Sequence, residues 1–168
     1  KVTGMDQWDM MGVWPDINMK FFNTNIEEDF TQYIDDPFDI IFALEILEHM
    51  IDTDVFLERL RKSIKKDGTL VISTPNINSL RNRVTVPMGK YPQGLEYKNI
   101  VHHVRLYNVH VLKKHLAEYG FEVIDMFGVI FLPLSGPMHI PFYRNIGKML
   151  GNNLPSLCAN IVAIAKPI

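Results

Sequence analysis

Apolar positions fall into short blocks, separated by polar turns, that switch between strand and helix periodicity. Lys1 to Gln7, KVTGMDQ, is partly β-branched and closes on Gly4 and Asp6, as a parallel strand running into a ligand-facing turn does. A helix-like piece from Trp8 to Val13 is stopped by Pro15, and Met19 to Ile26, MKFFNTNI, has the composition of a second strand. Phe38 to Leu44, FDIIFAL, is apolar with little alternation, which predicts a central strand covered on both faces. From Thr53 to Lys65, apolar Val55, Phe56, Leu60 and Ile64 recur near a 3.6-residue period, so a surface helix is expected, ending at Lys-Lys-Asp-Gly. Thr69 to Thr74 is a strand cut by Pro75, with Asn76 placed to cap a following helix. Asn108 to Tyr119 is amphipathic, capped by Asn108 and stopped by Gly120. Phe121 to Val129 and Leu157 to Ala165 complete the strands.

Strands alternating with helices at these lengths predict one α/β domain over residues 1–168, a doubly wound, mostly parallel sheet with helices on both faces. In such sheets the ligand lies outside the carboxyl ends of the strands. Asp6, Asn25, Leu44 and the Ser73 to Asn76 segment fall at such ends. Two stretches break the pattern, a loop or lid over 85–102 and an apolar, proline-broken insertion over 130–154. Lys1 enters a strand with no initiator methionine, so residues are expected to be missing upstream.

Composition narrows the chemistry. The chain is 47 % hydrophobic and 21 % charged, enough for an ordinary core. A net charge of −2 with scattered cations argues against nucleic acid as the main partner. The one cysteine, Cys158, lies in an apolar stretch and is expected to be buried rather than nucleophilic. No run approaches the roughly 18 apolar residues of a spanning helix, and the expectation is a soluble, cytoplasmic protein. Histidine and cysteine spacing offers no metal-ligand pattern beyond the adjacent His102 and His103, so no metal site is expected.

Three segments carry a resemblance: FDIIFALEILEHM at Phe38 to Met50, DGTLVISTPN at Asp67 to Asn76, and HVRLYNVHVLKKHLAEYGFEV at His103 to Val123. In this order they resemble the class I S-adenosylmethionine-dependent methyltransferases of the ubiquinone-biosynthesis-like branch, and the resemblance covers nearly the whole chain. It implies a Rossmann-like fold, S-adenosylmethionine as cofactor with S-adenosylhomocysteine as product, and a small-molecule, glycan or lipid-linked acceptor. Asp6 then matches the acid whose oxygens accept from both ribose hydroxyls, with Gly4 ahead of it. Asn25 stands where an aspartate usually meets the adenine amino group, with Ile26 on the adenine face. Ala43, Leu44 and Glu45 match the lining of the methionine portion. His103 is the foremost candidate for an acceptor-site base, with His49 the second. Glu48 is expected to be structural. Arg105, Tyr107 and Asn76 are expected at the acceptor pocket, and a homodimer is left open.

The chain departs from that family at one place. Its glycines, at 4, 12, 68, 89, 94, 120, 128, 136, 147 and 151, include no G-x-G, so the family's glycine-rich loop after its first strand is missing. Loss of the first βα unit would leave unpaired strand edges inside the sheet. A methyltransferase-like module without catalysis, serving binding or dimerisation, is therefore the alternative. A nicotinamide-dependent enzyme is disfavoured, because it too needs a phosphate-cradling glycine loop.

Overall fold

The computed structural model describes residues 2–8, 18–93, 95, 102–129 and 149–168. Strand β1 (Val2–Asp6) pairs in parallel with β2 (Met19–Asn23). Strand β3 (Phe38–Leu44) leads to helix α1 (Thr53–Ser63) and to β4 (Ile64–Pro75), which is parallel to β3. Helices α2 (Leu80–Thr85) and α3 (Val109–Glu118) follow, then β5 (Phe121–Val129) and β6 (Asn160–Pro167). The last two strands run antiparallel, β6 between β4 and β5, so the parallel pairings belong to the first half of the chain.

Most elements stand where the sequence pattern puts them, and the shifts have local causes. Strand β2 stops at Asn23 because Asn25 turns its side chain to accept the Glu27 amide at 3.0 Å, starting a turn in place of two more strand residues. Strand β4 begins directly at Ile64, where Lys65 pairs with Asp39 across the β3 edge at 2.7 Å. Strand β6 begins at Asn160 because Pro155 opens a single 3-10 turn over Pro155–Leu157. Asn76 does not cap α2; Ser79 does, accepting the Asn82 amide. Helix α3 is capped by Asn108 and ends ahead of Gly120, whose φ of 78° is left-handed. The expected helix over 8–13 lies outside the described residues except for Trp8.

One apolar core joins the faces of α1 and α3 to β3, β4 and β6 through Leu57, Leu70, Ile72, Leu112, Leu116 and Ile161, all fully buried. Each such side chain contributes about 1.5–3 kcal/mol relative to exposure, so this cluster holds the four-stranded body together. Cys158 is buried as expected, and burial pushes its thiol pKa up. Among the described residues no helix is long and apolar enough to cross a membrane.

The sheet is in two pieces. One is β1–β2 and the other has the order β3-β4-β6-β5, and among the described residues no strand pairs with the second edge of β1 or of β3. Between those edges lies a groove of about 450 Å³, lined by Val2, Met5, Ile40, Ala43, Phe56 and Leu60 among others. Strand β3 is thus not covered on both faces as its composition predicts: Ile40 is 54 % and Phe42 65 % exposed. The composition is that of a central strand, but Ile40, Phe42 and Leu44 alternate onto one face, and that face stays open among the described residues. The pieces are bridged elsewhere, where Arg59 of α1 donates to the carbonyls of Glu27 and Glu28 at 2.8 and 2.9 Å and Glu27 Oε1 accepts the Ile51 amide at 2.8 Å. The Phe30 and Phe56 rings meet edge to face beside that joint.

Candidate active site at the carboxyl edge of the sheet

Parallel pairing delivers the carboxyl ends of β1 and β2 side by side. Asp6 is the last residue of β1, its carbonyl accepting the Thr24 amide at 2.9 Å and its Oδ1 accepting the Trp8 amide at 2.9 Å. That turn holds the carboxylate at the carboxyl end of β1. Gly4 sits opposite Phe21, and a Cβ there would lie 2.9 Å from Met19 Sδ and 3.1 Å from the Phe21 ring. Its smoothness therefore serves the packing of β1 on β2. Asn25 is exposed with Oδ1 on the Glu27 amide, while Ile26 is half-buried and lines the groove.

At the end of β3, Ala43 is buried and also lines the groove, whereas Leu44 is half exposed. Glu45 follows with φ 53°, a left-handed conformation uncommon for any residue but glycine. Its amide donates to the Ser73 carbonyl and hydroxyl, each at 3.1 Å. Its carboxylate accepts Ser73 Oγ–H and Asn160 Nδ2–H, both at 2.6 Å. Neither Ser73 nor Asn160 is distinguishable in the sequence from an ordinary strand-end polar residue. The fold alone reveals them.

The turn after β3 meets the segment ahead of α3. The Glu48 carbonyl accepts the amides of Val104 and Arg105 at 2.8 and 3.1 Å, and the Arg105 guanidinium donates to the Ile51 carbonyl. His49 Nδ1 lies 2.9 Å from the His102 carbonyl, and the His49 and His103 rings pack edge to face at 4.7 Å. Ligand atoms of Glu48, His49 and His103 all fall within 4.8 Å of one another, close enough to hold a metal ion between them, although 54 residues separate the histidines. Spacing along the chain could not show this cluster. Glu48 is 2 % exposed, its Oε2 has no hydrogen-bond partner among the described residues, and burial, aided by the charge of Glu45, raises its pKa to about 7.

Two residues expected at the acceptor pocket act as internal fasteners. Asn76 is buried, donates to the carbonyls of Ser156 and Cys158 at 2.9 and 2.8 Å, and accepts the Asn78 amide at 3.0 Å. Both amide protons and the oxygen are thereby engaged within the protein. Tyr107 is buried beside it, its main chain bridging to Asn76 and its hydroxyl 3.0 Å from His115 Nδ1. His115 Nε2 lies in turn 2.9 Å from Asp54 Oδ1, which ties α3 to the start of α1. The acceptor side would otherwise be lined by the lid and the insertion. Of these, 94, 96–101 and 130–148 lie outside the described residues, and with them Phe131, Leu132, Met138, Phe142 and Tyr143. Phe127 is half-buried on β5.

Fold and edge together define a Rossmann-like α/β domain of the kind that binds an adenosyl cofactor across its strand ends. A family model described as a methyltransferase domain matches residues 3–126, and the chain belongs to that family. It is 28 % identical to the ubiquinone biosynthesis O-methyltransferase of Bradyrhizobium diazoefficiens over 58 % of this chain and 39 % of that protein. With the same enzyme of Bartonella bacilliformis the identity is 31 % over 60 % of this chain and 40 % of the relative. A Thermotoga maritima S-adenosylmethionine-dependent methyltransferase, described as a possible histamine N-methyltransferase, shares the fold with a TM-score of 0.67 at 15 % identity, over 98 % of this chain and 72 % of that one. An Archaeoglobus fulgidus S-adenosylmethionine-dependent methyltransferase superposes with a TM-score of 0.59 at 15 % identity, over 98 % and 75 %. The chain thus spans about two fifths of the length of these two curated relatives.

Proposed function

We propose that these residues form the greater part of an S-adenosylmethionine-dependent methyltransferase site that transfers a methyl group to a hydroxyl of a small, partly apolar acceptor. The observation that carries this is the pairing of Asp6, at the carboxyl end of β1, and groove-lining Ile26 on one piece of the sheet with the Glu48–His49–His103 cluster beyond the carboxyl end of β3 on the other. The residues fit the cofactor in part. Asp6 offers a fixed carboxylate for the ribose hydroxyls, Ile26 an apolar face for the base, and Ala43 room beside the methionine portion. Among the described residues no strand pairs with the facing edges of β1 and β3, and the groove between them is where a strand and its glycine turn would bring in backbone donors.

The cofactor supplies an already activated methyl group. The protein's task is then to align the acceptor oxygen, exclude water and take up one proton. In this reading His103, with His49 packed against it, is the base that takes up that proton, and the Arg105 contact to Ile51 fixes the segment carrying it. O-methylation is favoured over N-methylation because the two relatives described above are O-methyltransferases, and because a hydroxyl acceptor needs a base. A catalytically silent module is the second reading, favoured by the absence of any G-x-G. Release of S-adenosylhomocysteine in the presence of catechols, compared with aromatic amines, tests the proposal. Catechol-dependent release that is lost in Asp6→Ala and slowed in His103→Ala is expected. Release from amines alone would overturn the acceptor class.

A further inference from the structure

Among the described residues Glu45 is the one non-glycine residue with positive φ. Such a conformation persists where the surroundings over-determine it, and it collects at sites where direction matters more than stability. The surroundings here are specific. One carboxylate oxygen takes the Ser73 hydroxyl and the other takes the Asn160 amide, both at 2.6 Å, and the residue's own amide is held by Ser73. Ser73 lies opposite Leu44 in the β3–β4 register, and Asn160 opens β6 opposite Pro75. The side chain therefore reaches from the end of β3 over β4 to β6, and ties three strand ends with charge-assisted bonds. A glutamate that served only solubility would make none of these bonds.

We propose that Glu45 is a positioning residue of the transfer site, a role that rests on the cofactor reading above. Its carboxylate, gripped by Ser73 and Asn160, holds residue 45 left-handed and so sets the direction in which the chain leaves β3. That direction carries Glu48 and His49 to the segment bearing His103, where the Glu48 carbonyl accepts the Val104 and Arg105 amides. Glycine would adopt the same φ without cost but would leave the turn free to swing. The glutamate fixes one direction.

The test exchanges the donor and acceptor roles in the clamp. Asn160→Asp sets a carboxylate against the Glu45 carboxylate, leaving two acceptors face to face, while Asn160→Asp with Glu45→Gln restores one donor and one acceptor. Affinity for S-adenosylhomocysteine is measured by calorimetry in the full-length protein, beside the thermal midpoint and amide exchange at Glu45. The single variant should bind roughly tenfold more weakly with its midpoint moved by under about 3 °C, and the double variant should recover to within about threefold. A double variant no better than the single one, or a single variant of unchanged affinity, would overturn the proposal. An unsubstituted protein that binds no S-adenosylhomocysteine overturns the cofactor reading instead. Exchange at the Glu45 amide then decides the clamp: slow in the parent, fast in the single variant and slow again in the double supports it, and any other order refutes it.

Discussion

The two pieces of the sheet hold the two groups of proposed site residues under different physical regimes. In the β3-β4-β6-β5 body, every strand-end residue of interest is braced: Glu45 by Ser73 and Asn160, Asn76 by Ser156 and Cys158, and the Glu48 carbonyl by Val104 and Arg105. The β1–β2 piece carries Asp6, Asn25 and Ile26 on two five-residue strands, joined to the body through Glu27, Glu28, Phe30 and Arg59. An isolated two-stranded ribbon is marginal by itself. On the proposed reading the acceptor half is thus built into the core, whereas the nucleotide half hangs from its border across an apolar groove.

This contrast can be broken at several points. Leu57→Ala, in the middle of the body's core, should cost about 2–5 kcal/mol of unfolding free energy in a denaturant titration. Met5→Ala, on the groove side of β1, should cost under about 1.5 kcal/mol, because its surroundings are only partly closed. Equal costs would erase the distinction between the pieces. Asp6→Ala should weaken S-adenosylhomocysteine binding about 100-fold through loss of two hydrogen bonds to one charged acceptor, with little change in thermal midpoint. A large fall in midpoint would make Asp6 a structural turn residue instead.

The body also contains a pH-dependent element. Glu48 titrates near 7 in the folded protein against 4.5 for an ordinary glutamate. Between those values the folded state holds a proton that the unfolded state has released, so stability falls as pH rises from about 4.5 to 7 and does not recover above. The loss amounts to at most about 3 kcal/mol. In metal-free buffer, Glu48→Gln should flatten that slope, and parallel pH profiles for parent and variant would show that Glu48 is not its source. The smallest effect is expected at Val129, a half-exposed residue at the end of edge strand β5 opposite Asn160, where Val129→Thr should change stability by less than about 0.5 kcal/mol.

How much of this the sequence discloses follows from the range of the interactions. Phe38–Leu44 and Phe121–Val129 form the strands their composition predicts because their side chains have only a local choice to make. Asn108 and Gly120 bound α3 for the same reason. The strand-end position of Asp6 and Leu44 was legible, and so was the interrupted sheet, since no glycine pair exists to serve a first strand. What no local pattern carried was pairing at long range. Ser73, Asn160 and Glu27 are ordinary polar residues until the fold sets them against Glu45 and Ile51. Asn76 and Tyr107 match the resemblance at an acceptor pocket, yet their polar atoms are turned inward to Ser156, Cys158 and His115.

The central claim is that a cofactor site spans both pieces and is completed by a strand in the groove. It is tested most directly by calorimetric titration of S-adenosylhomocysteine into two proteins. One is the 168-residue chain. The other is the same chain carrying at its amino end the segment that precedes the matched region in the Bradyrhizobium relative. The account predicts saturable binding by the extended protein, at least about tenfold tighter than by the chain alone, and sensitivity of that binding to Asp6→Ala. Equal affinity in both would contradict the role of the groove, and no binding in either would contradict the cofactor site itself.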